Sequence, residues 1–152
     1  MNLPLLRVFA ACTLAILVAA GCGGSSDSSP TADAVTPAAQ DAEAGIRLVS
    51  ATDGAAIQAN PPDDLVILDV RTPEEFAEGH LDGAVMIDFY REDFAAELAE
   101  LDPNVPYLLY CRSGNRSGQT AAMMKDLGFA DVADIDGGIL SWTQAEFPTV
   151  SQ

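Results

Sequence analysis

Short apolar runs alternate along residues 46–147 with segments whose apolar residues recur every three or four positions. A short continuous apolar run is typical of a strand buried on both faces, whereas the longer spacing indicates an amphipathic helix. The runs predict five strands, at residues 46–49, 65–70, 84–87, 105–110 and 132–135. Helices are predicted between and after them, over residues 50–59, 72–79, 94–101, 117–128 and 138–147. Alternating strands and helices predict a parallel sheet covered on both faces, with ligands bound at the carboxyl ends of its strands.

The polar loop at residues 111–117, with the sequence CRSGNRS, joins the fourth strand to the fourth helix. Cys111 therefore lies where a strand ends and a helix begins. There, successive backbone N–H groups and the helix dipole favour a thiolate, or an anion carried on its sulfur. Arg112 and Arg116 stand in the same loop, and their charges make burial of this cysteine as an inert core residue costly. These features predict an anion-binding loop with a nucleophilic cysteine.

Two helix starts carry recognisable sequence signals. Residues 72–75, Thr-Pro-Glu-Glu, form a capping box with proline at the first helical position, and Gly79 ends that short helix. Ser117 is favoured as the N-cap of the fourth helix. In the alternative interpretation, Ser113 and Ser117 are loop hydroxyls that form hydrogen bonds with a sulfur carried on the cysteine.

The N-terminal residues are typical of an export signal rather than of a folded domain. Arg7 is the only charge before the apolar run at residues 8–20, which is short for a membrane span. Ala20-Gly21-Cys22, followed by glycine and serine, resembles the bacterial lipoprotein signal, in which Cys22 becomes the acylated first residue. We expect a signal peptide at 1–21, a flexible tether at 22–44 and a single domain at 45–152, exported and lipid-anchored to the bacterial membrane. An ordinary secretory signal with an incidental cysteine is the alternative.

Composition narrows the possible partners of the domain. The formal net charge is −16, from 23 acidic and 7 basic residues, which argues against nucleic-acid binding and against membrane adhesion through a basic patch. The chain has three cysteines. With Cys12 cleaved away and Cys22 acylated, Cys111 has no partner, so neither a disulfide framework nor a metal cluster is expected. We expect a monomer that contacts the membrane only through its lipid.

Three segments together resemble a single-domain rhodanese, a sulfurtransferase of the thiosulfate type, over about residues 45–150. They are LDVRTPEEF (68–76) followed by GHLDGA (79–84), the Cys111 loop, and Gly137-Gly138 followed by Trp142. The resemblance implies a three-layer α/β fold with a five-stranded parallel sheet in the order 3-2-4-5-1 and helices on both faces. It also implies a catalytic Cys111 that carries a persulfide, with no other cofactor and no metal. The implied substrate-binding residues are Arg112, Ser113, Gly114, Asn115, Arg116 and Ser117.

Other residues of these segments are expected to support the site rather than to react. Asp69, Arg71 and Glu78 are predicted to fix loops by ion pairing. His80 is interpreted as part of a loop that supports the fold, because the expected reaction needs no general base. Trp142 is interpreted as a core residue that could also wall the pocket.

The expected reaction is a double displacement that moves sulfur from a small anionic donor such as thiosulfate to a thiol or cyanide. A phosphatase or arsenate reductase is one alternative, because some phosphatases share this fold. Four residues separate Cys111 from Arg116, whereas those phosphatases have one more residue, which widens the loop for a tetrahedral phosphate. A non-catalytic binding module displayed on the membrane is the other alternative, although inactive relatives typically lose the cysteine that this chain retains.

Overall fold

The computed structural model describes residues 45–151 and contains a five-stranded sheet in which all neighbouring strands are parallel. The strands are β1 (Ile46–Val49), β2 (Val66–Asp69), β3 (Val85–Met86), β4 (Pro106–Tyr110) and β5 (Asp131–Ile135). Their order across the sheet is β1-β5-β4-β2-β3, which confirms the predicted order 3-2-4-5-1 read from the opposite edge. The predicted signal peptide, the tether and the lipidation cysteine Cys22 lie outside the described residues.

Residues 45–151 form five helices, and four of them contribute to the cores on the two faces of the sheet. The five are α1 (Ala51–Ala59), α2 (Pro73–Glu78), α3 (Phe94–Ala99), α4 (Asn115–Asp126) and α5 (Gly138–Gln144). Helices α3 and α4 contribute Phe94, Leu98, Ala121 and Met124 to the core on one face. Helices α1 and α5 contribute Ala51, Ile139 and Trp142 to the core on the other. This is the predicted arrangement of helices on both faces.

Strand β4 lies at the centre of the sheet and is buried from both sides. Tyr107 and Leu109 face α3 and α4, whereas Leu108 and Tyr110 face α1 and α5. Each fully buried leucine contributes ~1.5–3 kcal/mol to folding. An apolar run without alternation is therefore the sequence signature of this position, and it places Cys111 at the carboxyl end of the central strand.

The start of α2 follows the predicted capping box. The Thr72 hydroxyl accepts a hydrogen bond from the N–H of Glu75 at 3.4 Å, and the Glu75 carboxylate accepts one from the N–H of Thr72 at 3.1 Å. Each side chain thus satisfies a backbone donor that the helix start would leave unpaired.

The start of α4 differs from the prediction. The helix begins at Asn115, because Gly114 adopts a left-handed conformation with φ of 91° and its carbonyl accepts the first helical hydrogen bond, from the N–H of Gly118. Ser117 is therefore not the N-cap but lies in the first turn, fully buried. Glycine reaches this backbone conformation without steric cost, and its early turn moves the helix start toward the cysteine.

The other elements are slightly shorter than predicted. Strand β3 has two residues rather than four, α3 ends at Ala99, and α5 ends at Gln144 just before Glu146, whose φ is 60°. Among residues 45–151, no helix is long and apolar enough to cross a membrane.

Candidate active site

Cys111 follows β4 directly, and only 1% of its surface is exposed. The N–H of Gly114 donates a hydrogen bond to its sulfur over 3.1 Å. The N–H groups of Ser113 and Ser117 and the Ser117 hydroxyl lie near enough to the sulfur to favour its thiolate, although the hydroxyl itself donates to the Gly114 carbonyl. The turn at Gly114 and the first turn of α4 therefore direct several donors into one concavity, with the sulfur at its base.

These donors determine the acidity of the thiol. Burial by itself raises the pKa of Cys111, because the apolar surroundings disfavour the thiolate. The donor groups of Ser117, Ser113 and Gly114 favour the thiolate, and together they outweigh burial, so that the pKa is lowered below its ordinary value. A buried cysteine with a lowered pKa is poised as a nucleophile rather than packed as an inert residue.

The N-terminus of α5 forms hydrogen bonds with the backbone carbonyls of the Cys111 loop. The N–H of Ile139 donates to the carbonyl of Cys111 over 2.9 Å, and the N–H of Leu140 donates to the carbonyl of Arg112 over 3.1 Å. Gly138 permits this close approach, since a Cβ atom there would lie 2.3 Å from the Cys111 carbonyl oxygen. This contact gives the Gly137-Gly138 pair in the sequence a steric reason.

Arg116 is buried and already has an anionic partner. Its two terminal nitrogens donate to the two carboxylate oxygens of Glu75 over 2.7 and 2.8 Å, and its guanidinium lies 5.5 Å from the centre of the Tyr90 ring. The ion pair, opposed by partial burial and aided by the capping hydrogen bond from Thr72, lowers the pKa of Glu75 to about 2. Arg116 thus joins α4 to α2, and much of its charge is balanced within the protein.

Arg112 is exposed, and among the described residues its side chain has no ion pair or hydrogen bond. It lines a pocket of about 270 Å³ together with Glu75, Glu78, Leu140, Thr143 and Thr149. Arg112 is therefore the cation next to Cys111 whose charge can act on a ligand. The neighbouring Asn115 side chain is exposed and bonds Gln119 instead of turning toward the sulfur.

Of the three residues predicted to fix loops by ion pairing, Asp69 and Arg71 form an ion pair and Glu78 does not. Asp69 and Arg71 are buried and form a charge-assisted pair, with 2.6 Å between Nη2 and Oδ2. The same guanidinium donates to the carbonyls of Glu75 and Gly79, which fixes α2 against the sheet. Glu78 is exposed and makes none of the ion pairs found in the described part of the chain.

His80 and Trp142 lie in the framework of the domain. The His80 ring stacks on Phe76 at 3.7 Å, its Nδ1 lies 2.9 Å from the Phe76 carbonyl, and its backbone pairs with that of Val150. Trp142 is 1% exposed and donates from Nε1 to the carbonyl of Pro148. It lines a separate pocket of about 900 Å³, none of whose lining residues belongs to the Cys111 loop.

Two residues of the site were not predicted from the sequence. The sequence predicts Glu75 only as a capping residue, because its pairing with Arg116, 41 positions away, depends on tertiary structure. Asp134 lies in β5 with 3% exposure, within the apolar run 132–135. An acidic residue within a buried strand was the signal that could have identified it. In residues 45–151 no cluster of His, Cys, Asp or Glu could hold a metal ion.

Comparison with known proteins agrees with this architecture. The family model described as "Rhodanese-like domain" matches residues 50–145. A sulfurtransferase from Allochromatium vinosum is 30% identical over 89 residues, which cover 59% of this chain and 81% of that protein. The thiosulfate sulfurtransferase GlpE from Pseudomonas putida is 34% identical over 93 residues, covering 61% and 82%. The chain therefore belongs to the rhodanese-like domain family.

Two solved structures share the fold. A rhodanese-related protein from Thermoplasma volcanium superposes with a TM-score of 0.61 at 26% identity, covering 70% of this chain and 99% of that one. A protein from Rhodopseudomonas palustris described as a possible tyrosine phosphatase superposes with a TM-score of 0.57 at 27% identity, covering 69% and 85%. Both superpositions show that the fold of this chain is shared.

Replacing Glu75 by Gln removes the ion pair with Arg116 and keeps an acceptor for the Thr72 N–H. Because the pKa of Glu75 is lowered from its ordinary 4.5 to about 2, its stabilisation is complete above pH 4.5 and is lost as the pH falls toward 2. We expect Glu75→Gln to lower the free energy of unfolding by about 1–2 kcal/mol near neutral pH, less than the whole shift implies because the carboxylate is partly exposed.

Urea unfolding at about pH 7 and about pH 3 measures this difference, which shrinks at the lower pH. Glu74→Gln is the matched control, because Glu74 is exposed on the same helical turn and forms none of these contacts. An equal loss of stability in both variants at neutral pH would contradict a specific role for the Glu75–Arg116 pair.

Proposed function

We propose that this protein transfers a sulfane sulfur from thiosulfate, or a related anionic donor, to a thiol or cyanide acceptor through a persulfide on Cys111. The observation that carries the proposal is the buried Cys111 sulfur that accepts a hydrogen bond from the Gly114 N–H, with its pKa lowered despite burial. Relatives named as sulfurtransferases support the same chemistry.

In the first half-reaction the Cys111 thiolate attacks the outer sulfur of thiosulfate. A bond forms between Sγ and that sulfur, the sulfur–sulfur bond of thiosulfate breaks, and sulfite leaves with the bonding electrons. The persulfide that remains is an anion, and the N–H groups that favour the thiolate are arranged to stabilise it as well. A covalent intermediate of this kind divides one difficult transfer into two easier steps.

In the second half-reaction a cyanide ion or a thiolate attacks the terminal sulfur of the persulfide. The bond between the two sulfurs breaks, and Cys111 leaves as its thiolate. A thiol with a lowered pKa is the better leaving group, so the same hydrogen bonds serve both halves of the cycle. Neither step calls for a metal or an organic cofactor.

The phosphatase alternative fits the loop less well. Four residues separate Cys111 from Arg116, one fewer than in the phosphatases that share this fold. The Arg116 guanidinium is also bound by Glu75 through two hydrogen bonds, so it is less available for a phosphate. A non-catalytic binding module is disfavoured by the retained cysteine and its lowered pKa.

We also propose that the domain works outside the cytoplasm, as a monomer held to the membrane by lipid on Cys22. The support is the sequence Ala20-Gly21-Cys22 and the polar segment that follows it. The acidic composition agrees with a domain that does not adhere to anionic lipid or nucleic acid by charge.

Replacing Cys111 by Ser should abolish sulfur transfer and leave the fold intact, because serine has nearly the same shape but forms no persulfide. The wild-type protein should gain the mass of one sulfur atom on Cys111 with thiosulfate and lose it on addition of cyanide. Intact-mass spectrometry and a thiocyanate assay measure the two steps. Substantial turnover by the Ser variant, or hydrolysis of para-nitrophenyl phosphate by the wild type at a phosphatase's rate, would contradict the proposal.

Replacing Arg112 by Ala should lower kcat/KM for thiosulfate by about two- to tenfold, because the contact with a doubly charged anion is exposed and screened by water. The dependence of kcat/KM on salt should become flatter, since less attraction is left to screen. Steady-state kinetics at several ionic strengths measure both effects. Lys125→Ala removes the same charge at the far end of α4 and should change neither; equal effects of the two variants would show that only net charge matters.

Replacing Cys22 by Ser should release the protein from the membrane fraction and abolish its labelling by a fatty-acid analogue, because the acylated residue is removed. Fractionation and labelling of cells that express the full chain provide the measurement. A matched Cys12→Ser variant should remain anchored, because residue 12 lies within the cleaved signal. A soluble, unlabelled wild-type protein would exclude the anchor and leave the sulfur chemistry untouched.

A further inference from the structure

Asp134 is a buried acid close to the nucleophile that the proposed reaction does not use. Its side chain lies on the face of β5 that packs against α4, in register with Leu109 of β4 and Leu48 of β1. It is 3% exposed, and its Oδ1 has no hydrogen-bond partner among the described residues. An unpaired buried carboxylate oxygen costs free energy, which points to a role that offsets this cost.

Ser117 lies between this carboxyl and the sulfur. Its hydroxyl is close enough to both groups to favour the charged form of each, although it forms a hydrogen bond with neither in the structure. In the structure the hydroxyl points toward the Gly114 carbonyl over 3.4 Å, which is long for an O–H···O bond. The hydroxyl is therefore free to turn toward a stronger acceptor.

A serine hydroxyl has one proton to donate, so its two neighbours compete for it. When Asp134 is ionised, the carboxylate attracts the Ser117 proton and the sulfur loses that donor. When Asp134 is protonated, its own O–H donates to the Ser117 oxygen, and the Ser117 proton is available to the sulfur. The ionised acid also places a second negative charge near the thiolate in a poorly solvated region.

We propose that Asp134 is a positioning residue that acts through Ser117, favouring the Cys111 thiolate when the acid is protonated and opposing it when the acid is ionised. The inference rests on the proposed function, since it assigns a role in preparing the same nucleophile. It predicts that the reactivity of Cys111 rises less steeply above neutral pH than that of a simple thiol.

The charges around the carboxyl place this change within an accessible pH range. Burial raises the pKa of Asp134 to about 6, with the Ser117 hydroxyl opposing the rise and the negative charge of Asp136 adding to it. From α4 the neighbouring groups are Ser117 and Gly118, and β4 and β1 present leucines in register. The acid is therefore mainly protonated below about pH 6 and mainly ionised above it.

The test measures the ionisation of Cys111 without sulfur transfer. Iodoacetamide is uncharged and alkylates the thiolate, so its rate at Cys111, followed by peptide mass spectrometry on the full chain, reports the thiolate fraction at each pH. Asp134→Asn keeps the shape and removes the ionisation. The variant should match the wild type below about pH 5 and react about three- to tenfold faster near pH 8.

Ser117→Ala tests the connection. In that background the effect of Asp134→Asn should fall well below its size in the wild type, because the shared hydroxyl is gone. Asp126→Asn is the matched control, since it removes an exposed acid at the far end of α4 and should leave the profile unchanged. Circular dichroism confirms the fold of each variant. If Asp134→Asn does not fold, the wild type and Ser117→Ala are compared, and the inflection near pH 6 should be much weaker in Ser117→Ala.

Coinciding wild-type and Asp134→Asn profiles across the whole pH range would overturn the inference. An Asp134→Asn effect of equal size with and without Ser117 would also overturn it. A chain that shows the predicted alkylation profile but forms no persulfide would instead refute the proposed function alone, because alkylation needs only a reactive thiolate.

Discussion

The site depends on the orientation of the peptide groups that follow β4. The carbonyls of Cys111 and Arg112 are held by the N-terminus of α5, so the N–H groups that follow in the loop are free to face the sulfur. Without that contact the burial of Cys111 would raise its pKa and leave an inert thiol. The close approach depends on Gly138 and ties the last helix of the domain to the chemistry of the central strand.

Charge is distributed unevenly over this site. Arg71 and Arg116 are paired with Asp69 and Glu75, and they organise α2 and α4 around the loop. Arg112 alone of the three is exposed. In a chain with a net charge of −16, attraction for an anion must come from groups within a few ångströms of the sulfur, because salt screens the more distant acids.

Much of this arrangement could be predicted from local patterns in the sequence. The five strands, the capping box at α2 and the position of Cys111 follow from apolar runs and turn signals within a few residues. The start of α4 was misplaced because a serine suggests an N-cap, whereas the left-handed Gly114 ends the loop earlier. The pairing of Arg116 with Glu75 and the nearness of Asp134 to Ser117 could not be predicted, because both arise only through the fold.

The contact between the cysteine loop and α5 also bears on how such a domain can evolve. The first two loop carbonyls are bound by α5, and the carbonyl of Gly114 already begins α4. A residue inserted into the loop would therefore displace either the hydrogen bonds to α5 or the start of α4. Both of these orient the donors around the sulfur. A longer loop would thus call for a matching change at the start of α5, so the length of the cysteine loop is coupled to the last helix of the domain.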